Sequence, residues 1–407
     1  MPRSVVITGL GAVSALGGDV PALAAGLGDG RCGIGALTLF PYRGRAGTAA
    51  QVPEAVGSAA ACGLPPATVR RLSRPDRFAL AAAAEACGNA GLDAGLRRTA
   101  ALAVGATTGG MFETERVYER RQADSEKRFR FSRLLGTPLS TSAAAVSQAL
   151  GVRGPQTTLS TACSSSALAV ATAAEAIRRG EASVALAIGT DGLCRLTYAG
   201  FDALHALDPD RCRPFDRDRQ GLSLGEGAAA LVLEDAEHAR ARGARARAAL
   251  LGWGTATDAH HLTAPHPEGA GALAALRRAL AAAGLPPDAI DYVNAHGTGT
   301  AQNDTVELLV LRAVFGGRLP HIPISSSKSQ LGHCLGAAGA LEAVVTVLAL
   351  DEGIVPPTVN LREPDPAGAD LDLVRTPGRR APLGAAVTSS YGFGGHNVSL
   401  VLGCMER

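Results

Sequence analysis

One pattern occurs twice in this chain: a β-rich run, a loop of small and polar residues, then a helix built almost wholly from small side chains. The first copy is Gln156-Thr157-Thr158-Leu159, then Ser160-Thr161-Ala162-Cys163-Ser164-Ser165-Ser166, then Ala167 to Arg179, closing on Gly180-Glu181. The second is Ile322 to Ser325, then Ser327-Lys328-Ser329-Gln330-Leu331-Gly332-His333, then Gly336 to Leu350, closing on Asp351-Glu352-Gly353. Such units predict an α/β fold of five layers, αβαβα, with two pseudo-symmetric halves and mixed sheets. The halves are read as residues 1–250 and 251–407, packed as one unit. In α/β sheets the ligand site lies beyond the carboxyl ends of strands, where the halves meet.

The rest of the chain fits this plan. Residues 4–10 read as a buried strand, and 100–105 as another, entering the small-residue loop Ala106-Thr107-Thr108-Gly109-Gly110. Pro75-Asp76-Arg77 opens a helix over 78–90. The apolar run 183–188 and the stretch 228–234 read as strands, with 193–223 irregular between them. In the second half, strands are expected at 248–253, 290–294, 386–389 and 398–402, and helices at 271–283 and 304–315. Residues 28–65 read as loops because Gly and Pro punctuate them.

With 407 residues, 46% of them hydrophobic, the chain can bury a large core. Its net charge of +2 gives no push toward nucleic acid. No run approaches a membrane span, and the apolar N-terminal run is too short and Gly-broken for a signal peptide. The eight cysteines (32, 62, 87, 163, 194, 212, 334 and 404) contain no C-x-x-C pair, so no metal site is expected. A cytoplasmic protein is the reading. Only two lysines, Lys127 and Lys328, stand among 39 basic side chains. A lysine that persists in such an arginine-rich chain marks a place where a compact ammonium is needed and a planar fork will not serve.

Cys163 stands at a strand-to-helix corner, where unpaired N–H groups and the positive dipole end are expected to lower a thiol pKa. The plain alternative is a buried cysteine acting as a small hydrophobe. His296 lies in Asn294-Ala295-His296-Gly297-Thr298-Gly299-Thr300, and His333 follows Lys328 by five residues. One histidine beside a cysteine would suit a thiol protease. Two in separate glycine-rich loops suit a reaction that polarises a carbonyl and expels a neighbouring carboxylate. The glycines around Phe393, in Gly392-Phe393-Gly394-Gly395, bare backbone N–H groups as an oxyanion hole requires.

These four motifs, in this order, resemble those of the β-ketoacyl-acyl carrier protein synthases, elongating type II ketosynthases with a thiolase-like fold. The resemblance covers essentially the whole chain. It implies that Cys163 takes an acyl group from a carrier-protein thioester, and that His296 and His333 promote decarboxylation of malonyl-carrier. Lys328 would support the site, paired with Glu307. Backbone N–H groups of Cys163 and Phe393 would hold the oxyanion. Thr298, Thr300, Gly392 and Gly394 would seat the substrate. No cofactor is implied; substrates would arrive on the phosphopantetheine arm of acyl carrier protein. Two positions depart from the family's pattern. Leu222, in Arg219-Gln220-Gly221-Leu222, stands where a gating Phe is common, and Thr108 where fatty-acid enzymes carry bulk. Both open the choice between fatty acid and polyketide or polyene chains.

Two other readings remain. A thiolase-type acyl-CoA transferase would carry a second cysteine by the C-terminal glycine loop, and Cys404 lies well past Gly395. A non-catalytic ketosynthase-like partner subunit would lack Cys163. The resemblance also implies a homodimer, or a heterodimer with a chain-length-factor-like subunit, burying part of residues 100–160. Arg70, Arg71, Arg74, Lys127, Arg128 and Arg130 are the expected docking patch for an acidic carrier protein.

Overall fold

The computed structural model describes residues 3–56, 65–123 and 131–405. Its main sheet has ten strands. Five belong to the first part of the chain: β1 (Val5–Val13), β2 (Ala101–Gly105), β3 (Gln156–Leu159), β4 (Val184–Asp191) and β5 (Gly227–Asp235). Five follow: β6 (Ala248–Thr257), β7 (Tyr292–Asn294), β8 (Ile324–Ser325), β9 (Ala385–Gly392) and β10 (His396–Cys404). The strand order is β8-β7-β9-β10-β6-β1-β5-β4-β2-β3. Read outward from the centre, the two sets follow the same path. In the first, β2 is parallel to β3 and β4, and β5 is antiparallel to β4 and β1. In the second, β7 is parallel to β8 and β9, and β10 is antiparallel to β9 and β6. The sets join through β1 and β6, where Val5 faces Leu250 and Ile7 faces Ala248.

Five helices build the layers: α1 (Arg74–Asn89), α2 (Ser165–Arg178), α3 (Ala270–Ala283), α4 (Ala301–Phe315) and α5 (Ala338–Glu352). Helices α2 and α5 share one core with strands from both sets, among them Leu231, Leu233, Leu400 and Leu402. Every residue of α5 from Ala338 to Leu350 is buried, as expected of a helix enclosed on all sides. Helix α1 covers the outer face of the first set through Phe78, Ala82 and Ala86. Helices α3 and α4 cover the second through Leu276, Leu308 and Leu311. The result is α, β, α, β, α.

The outer helices lie close because the strands beneath them carry glycine. A Cβ on Gly11 would come within 1.9 Å of the Ala82 carbonyl oxygen, and one on Gly254 within 2.1 Å of that of Ala275. The same device serves the first strand of each set. Helix α1 starts cleanly: Ser73 and Asp76 form a reciprocal cap, with Pro75 in the first turn.

Two stretches differ from the sequence expectation. Residues 28–65 contain a short antiparallel pair, Ile34–Ala36 with Thr48–Ala50. The stretch expected to be irregular, 193–223, contains a helix at Arg195–Ala203. It is only nine residues long and carries Thr197 and Gly200, weak helix formers, so propensity does not announce it.

Candidate active site

Cys163 sits between β3 and α2, and only 6% of its surface is exposed. The corner is tight: Ala162 holds φ +51°, a left-handed conformation that a non-glycine residue seldom adopts. Ser164 and Ser165 stitch it together. The Ser164 hydroxyl donates to the Thr161 carbonyl at 2.8 Å, and the Ser165 hydroxyl donates to the Ala162 carbonyl at 2.6 Å. The thiol does not behave as the helix end alone suggests. Burial pushes it up to about 11, and this outweighs the downward pull of Lys328 and of the Phe393 N–H. The expected lowering is therefore corrected: the resting cysteine is a thiol.

The two histidines come together on neighbouring loops. Their ring centroids lie 5.4 Å apart at 87°, and Tyr391 packs on His296 at 5.5 Å. Each ring has its Nδ1 occupied by a donor. Lys328 Nζ is 3.1 Å from His296 Nδ1, and the Leu335 N–H donates to His333 Nδ1 at 3.1 Å. An ammonium and an amide can only donate, so each Nδ1 is an acceptor and each neutral ring carries its proton on Nε2. Both rings stay neutral: burial and Lys328 hold both imidazoles well below the ordinary histidine range, and His333 adds to the effect on His296.

Lys328 is 2% exposed. Its ammonium also donates to the His296 carbonyl at 2.5 Å and pairs with the Glu342 carboxylate on α5. The expected partner, Glu307, is therefore corrected to Glu342. Glu307 instead accepts from the backbone N–H groups of His296 and Gly297, both at 2.7 Å. Burial pushes its carboxyl up to about 7. It holds the His296 loop from below, as Asp304 holds the Gly299 N–H at 3.2 Å. Glu342 had no local signal in the sequence, because it sits alone within an apolar helix.

Cys163 lies at the junction of two cavities. A larger one, of about 390 Å³, is lined by Cys163, His296, His333, Thr298, Thr300, Leu222, Gly392 and Gly394. A second, of about 340 Å³, is lined by Cys163, Thr107, Thr108, Leu196, Leu335 and Phe201. Phe393 borders both and stacks on Phe201 at 5.6 Å. Thr298 and Thr300 share a hydrogen bond of 2.9 Å. Leu222 and Thr108 thus line different cavities, Leu222 the larger and Thr108 the smaller one. The smaller cavity's wall also includes Leu196, Thr197 and Phe201 from the helix Arg195–Ala203, which the sequence reading missed.

Three of the six charged docking candidates fall among the described residues. Arg70 and Arg71 are exposed. Arg74 is buried and gripped by Glu226, so it is removed from the docking surface. Lys127, Arg128 and Arg130 lie outside the described residues. Cys404 pairs with Ala248 at the far end of β10 from the glycine loop.

The layered sheet and the cysteine, histidine and lysine loops at the meeting of its halves are those of a thiolase-fold condensing enzyme. Residues 2–239 match the family described as Beta-ketoacyl synthase, N-terminal domain, and residues 247–362 the Beta-ketoacyl synthase, C-terminal domain. The chain is 40% identical to Nodulation protein E of Rhizobium meliloti (strain 1021), over 98% of this chain and 99% of that protein. It is 35% identical to 3-oxoacyl-(acyl-carrier-protein) synthase 2 of Coxiella burnetii (strain RSA 493 / Nine Mile phase I), over 98% of each. It superposes on the solved structure of the ishigamide ketosynthase/chain length factor with a TM-score of 0.93, at 36% identity and over 100% of both chains. The chain belongs to the β-ketoacyl synthase family and is an acyltransferase of the condensing type.

Proposed function

We propose that this chain performs decarboxylative Claisen condensation, joining a Cys163-bound acyl group to malonyl-acyl carrier protein. The observation that carries the reading is the pair of neutral imidazoles, each with Nδ1 occupied, lining one cavity with a buried cysteine. Cys163 attacks the acyl-carrier thioester, and the carrier thiol leaves with the proton. The pantetheine arm of malonyl-carrier then enters the larger cavity, seated by Thr298 and Thr300. The Nε2–H groups of His296 and His333 donate to its thioester oxygen as carbon dioxide leaves and negative charge collects there. The resulting carbanion attacks the acyl-Cys163 carbonyl. N–H groups of Cys163 and Phe393 hold the oxyanion, each worth about 3 kcal/mol of barrier. Its collapse returns the Cys163 thiolate and releases β-ketoacyl-carrier.

In this reading residues 1–250 store the acyl group and 251–407 make the carbanion. The acyl chain occupies the smaller cavity at Thr108, and Leu222 borders the pantetheine arm. Arg70 and Arg71 are the remaining docking candidates for the carrier. The working form is a dimer in the cytoplasm, either of this chain or with a chain-length-factor-like partner, and no nucleic acid or membrane takes part. The product belongs to fatty acid or to type II polyketide or polyene synthesis. Incubation with acyl-carrier protein should leave a covalent acyl adduct on Cys163, and malonyl-carrier should then release carbon dioxide with a two-carbon-longer product. An adduct without condensation overturns the reading.

A further inference from the structure

The condensation just described gives no role to Asp191, a buried carboxylate beside the site. Asp191 is the last residue of β4 and is fully buried. Its Oδ1 accepts from the Thr107 N–H at 3.1 Å, the Thr108 N–H at 2.7 Å and the Thr108 hydroxyl at 2.8 Å. Its Oδ2 accepts from the Gly336 N–H at 2.7 Å. These donors come from distant parts of the chain. Thr107 and Thr108 follow β2 and wall the smaller cavity. Gly336 follows Leu335, which walls the same cavity and whose N–H sets the tautomer of His333.

Leu335 holds φ +50°, so its turn needs an anchor to persist. Gly336 N–H to Asp191 is that anchor. A Cβ on Gly336 would lie 2.6 Å from Asp191 Oδ2 and 2.5 Å from the Thr107 hydroxyl, so the turn and the cavity wall are pressed together over this carboxylate.

We propose that Asp191 is a positioning residue that locks the Leu335–Gly336 turn, and with it the His333 Nε2–H, to the wall of the acyl cavity. The inference rests on the proposed roles of Cys163 and His333. An acyl chain that fills the smaller cavity presses on Thr108 and Leu335 together. Asp191 keeps those two contacts in fixed relation to the ring that receives the malonyl thioester. A supporting residue of this kind acts on the transition state through its neighbour, so its loss lowers turnover more than substrate binding.

Asp191→Asn tests this, because it keeps the shape but presents an NH₂ group where one of the backbone donors now points. Acylation of Cys163 should stay within about threefold of normal, since the Asp191 charge opposes thiolate formation rather than aiding it. Carbon dioxide release from malonyl-carrier by the acylated enzyme should fall at least about tenfold with KM nearly unchanged. The ¹⁵N signals of His333 should leave the Nε2–H pattern while those of His296 keep it. Equal losses in both half-reactions, unchanged carbon dioxide release, or an unmoved His333 spectrum would overturn the proposal. If the Asn variant does not fold, Asp191→Ser, which keeps an acceptor in a smaller volume, is held to the same outcomes. Wild-type enzyme that forms no adduct or releases no carbon dioxide would instead overturn the condensation reading itself.

Discussion

Lys328 serves three partners with one ammonium: the His296 ring, the His296 carbonyl and Glu342. A guanidinium is planar and larger, and cannot meet that closed set of acceptors. Lys328→Arg should therefore lose about a hundredfold or more in turnover, with a stability cost of about 1–3 kcal/mol from overpacking; near-normal turnover would count against the role. For His333→Ala, the acyl adduct on Cys163 should still form while carbon dioxide release drops about 10²–10³-fold, the usual loss for one donor at a developing oxyanion. The thiol gives a pH test. Its pKa is raised to about 11 by burial, so only a small fraction is thiolate at neutral pH. Alkylation of Cys163 by iodoacetamide should climb about tenfold per pH unit between pH 7 and 10. A plateau near pH 8 would show that the helix end wins over burial. At this scale the gathering of Cys163, His296, His333 and Lys328 was legible, because each stands in a loop of small residues that has no packing reason to hold it. The Lys328–Glu342 pair was not, since a carboxylate buried mid-helix can be recognised only once α5 is placed against the 328–333 loop.

At the scale of elements, the repeated glycine pattern carries the consequence. Helix α1 rests on β1 at Gly11, and α3 rests on β6 at Gly254. Gly11→Ala places a methyl against the Ala82 carbonyl, so either the helix or the strand must shift. A loss of about 1–3 kcal/mol is expected, read as a lower denaturation midpoint with little change in m-value. The helix Arg195–Ala203 teaches the opposite lesson about legibility. Its nine residues bury Tyr198 alone, and a helix so short is marginal by itself and is held by its tertiary contacts. Yet it supplies Phe201, whose ring stacks on Phe393 between the two cavities. The long small-residue helices were readable because packing between two sheets demands their composition along the whole length.

Across the whole molecule, the two cavities meet at Cys163 and only the larger one also contains both histidines. In the proposed reaction, acyl storage and carbanion formation are thereby separated in space while sharing one sulfur. The proposed carrier docking falls to the outer surface, where Arg70 and Arg71 are exposed and Arg74 is not. Replacing Arg70 and Arg71 together with Glu should raise KM for the carrier-bound thioester severalfold. Acylation by a small free thioester should be unchanged, because rim charges act mainly on encounter. An equal effect on both substrates would move the docking face elsewhere.

The sequence alone determined which side chains gather at the site and on what frame: a cysteine at a small-residue corner, two histidines in glycine loops, a surviving lysine, and a duplicated α/β plan. Those features are local, and residue type with spacing is enough to express them. Tertiary structure decided what each charged group faces. It moved Lys328 from Glu307 to Glu342, set Glu307 beneath the His296 loop, buried Arg74 against Glu226, and raised the Cys163 thiol where the helix end alone suggested lowering. Each of these depends on burial and on a partner outside the local motif, and neither quantity exists until the chain has folded.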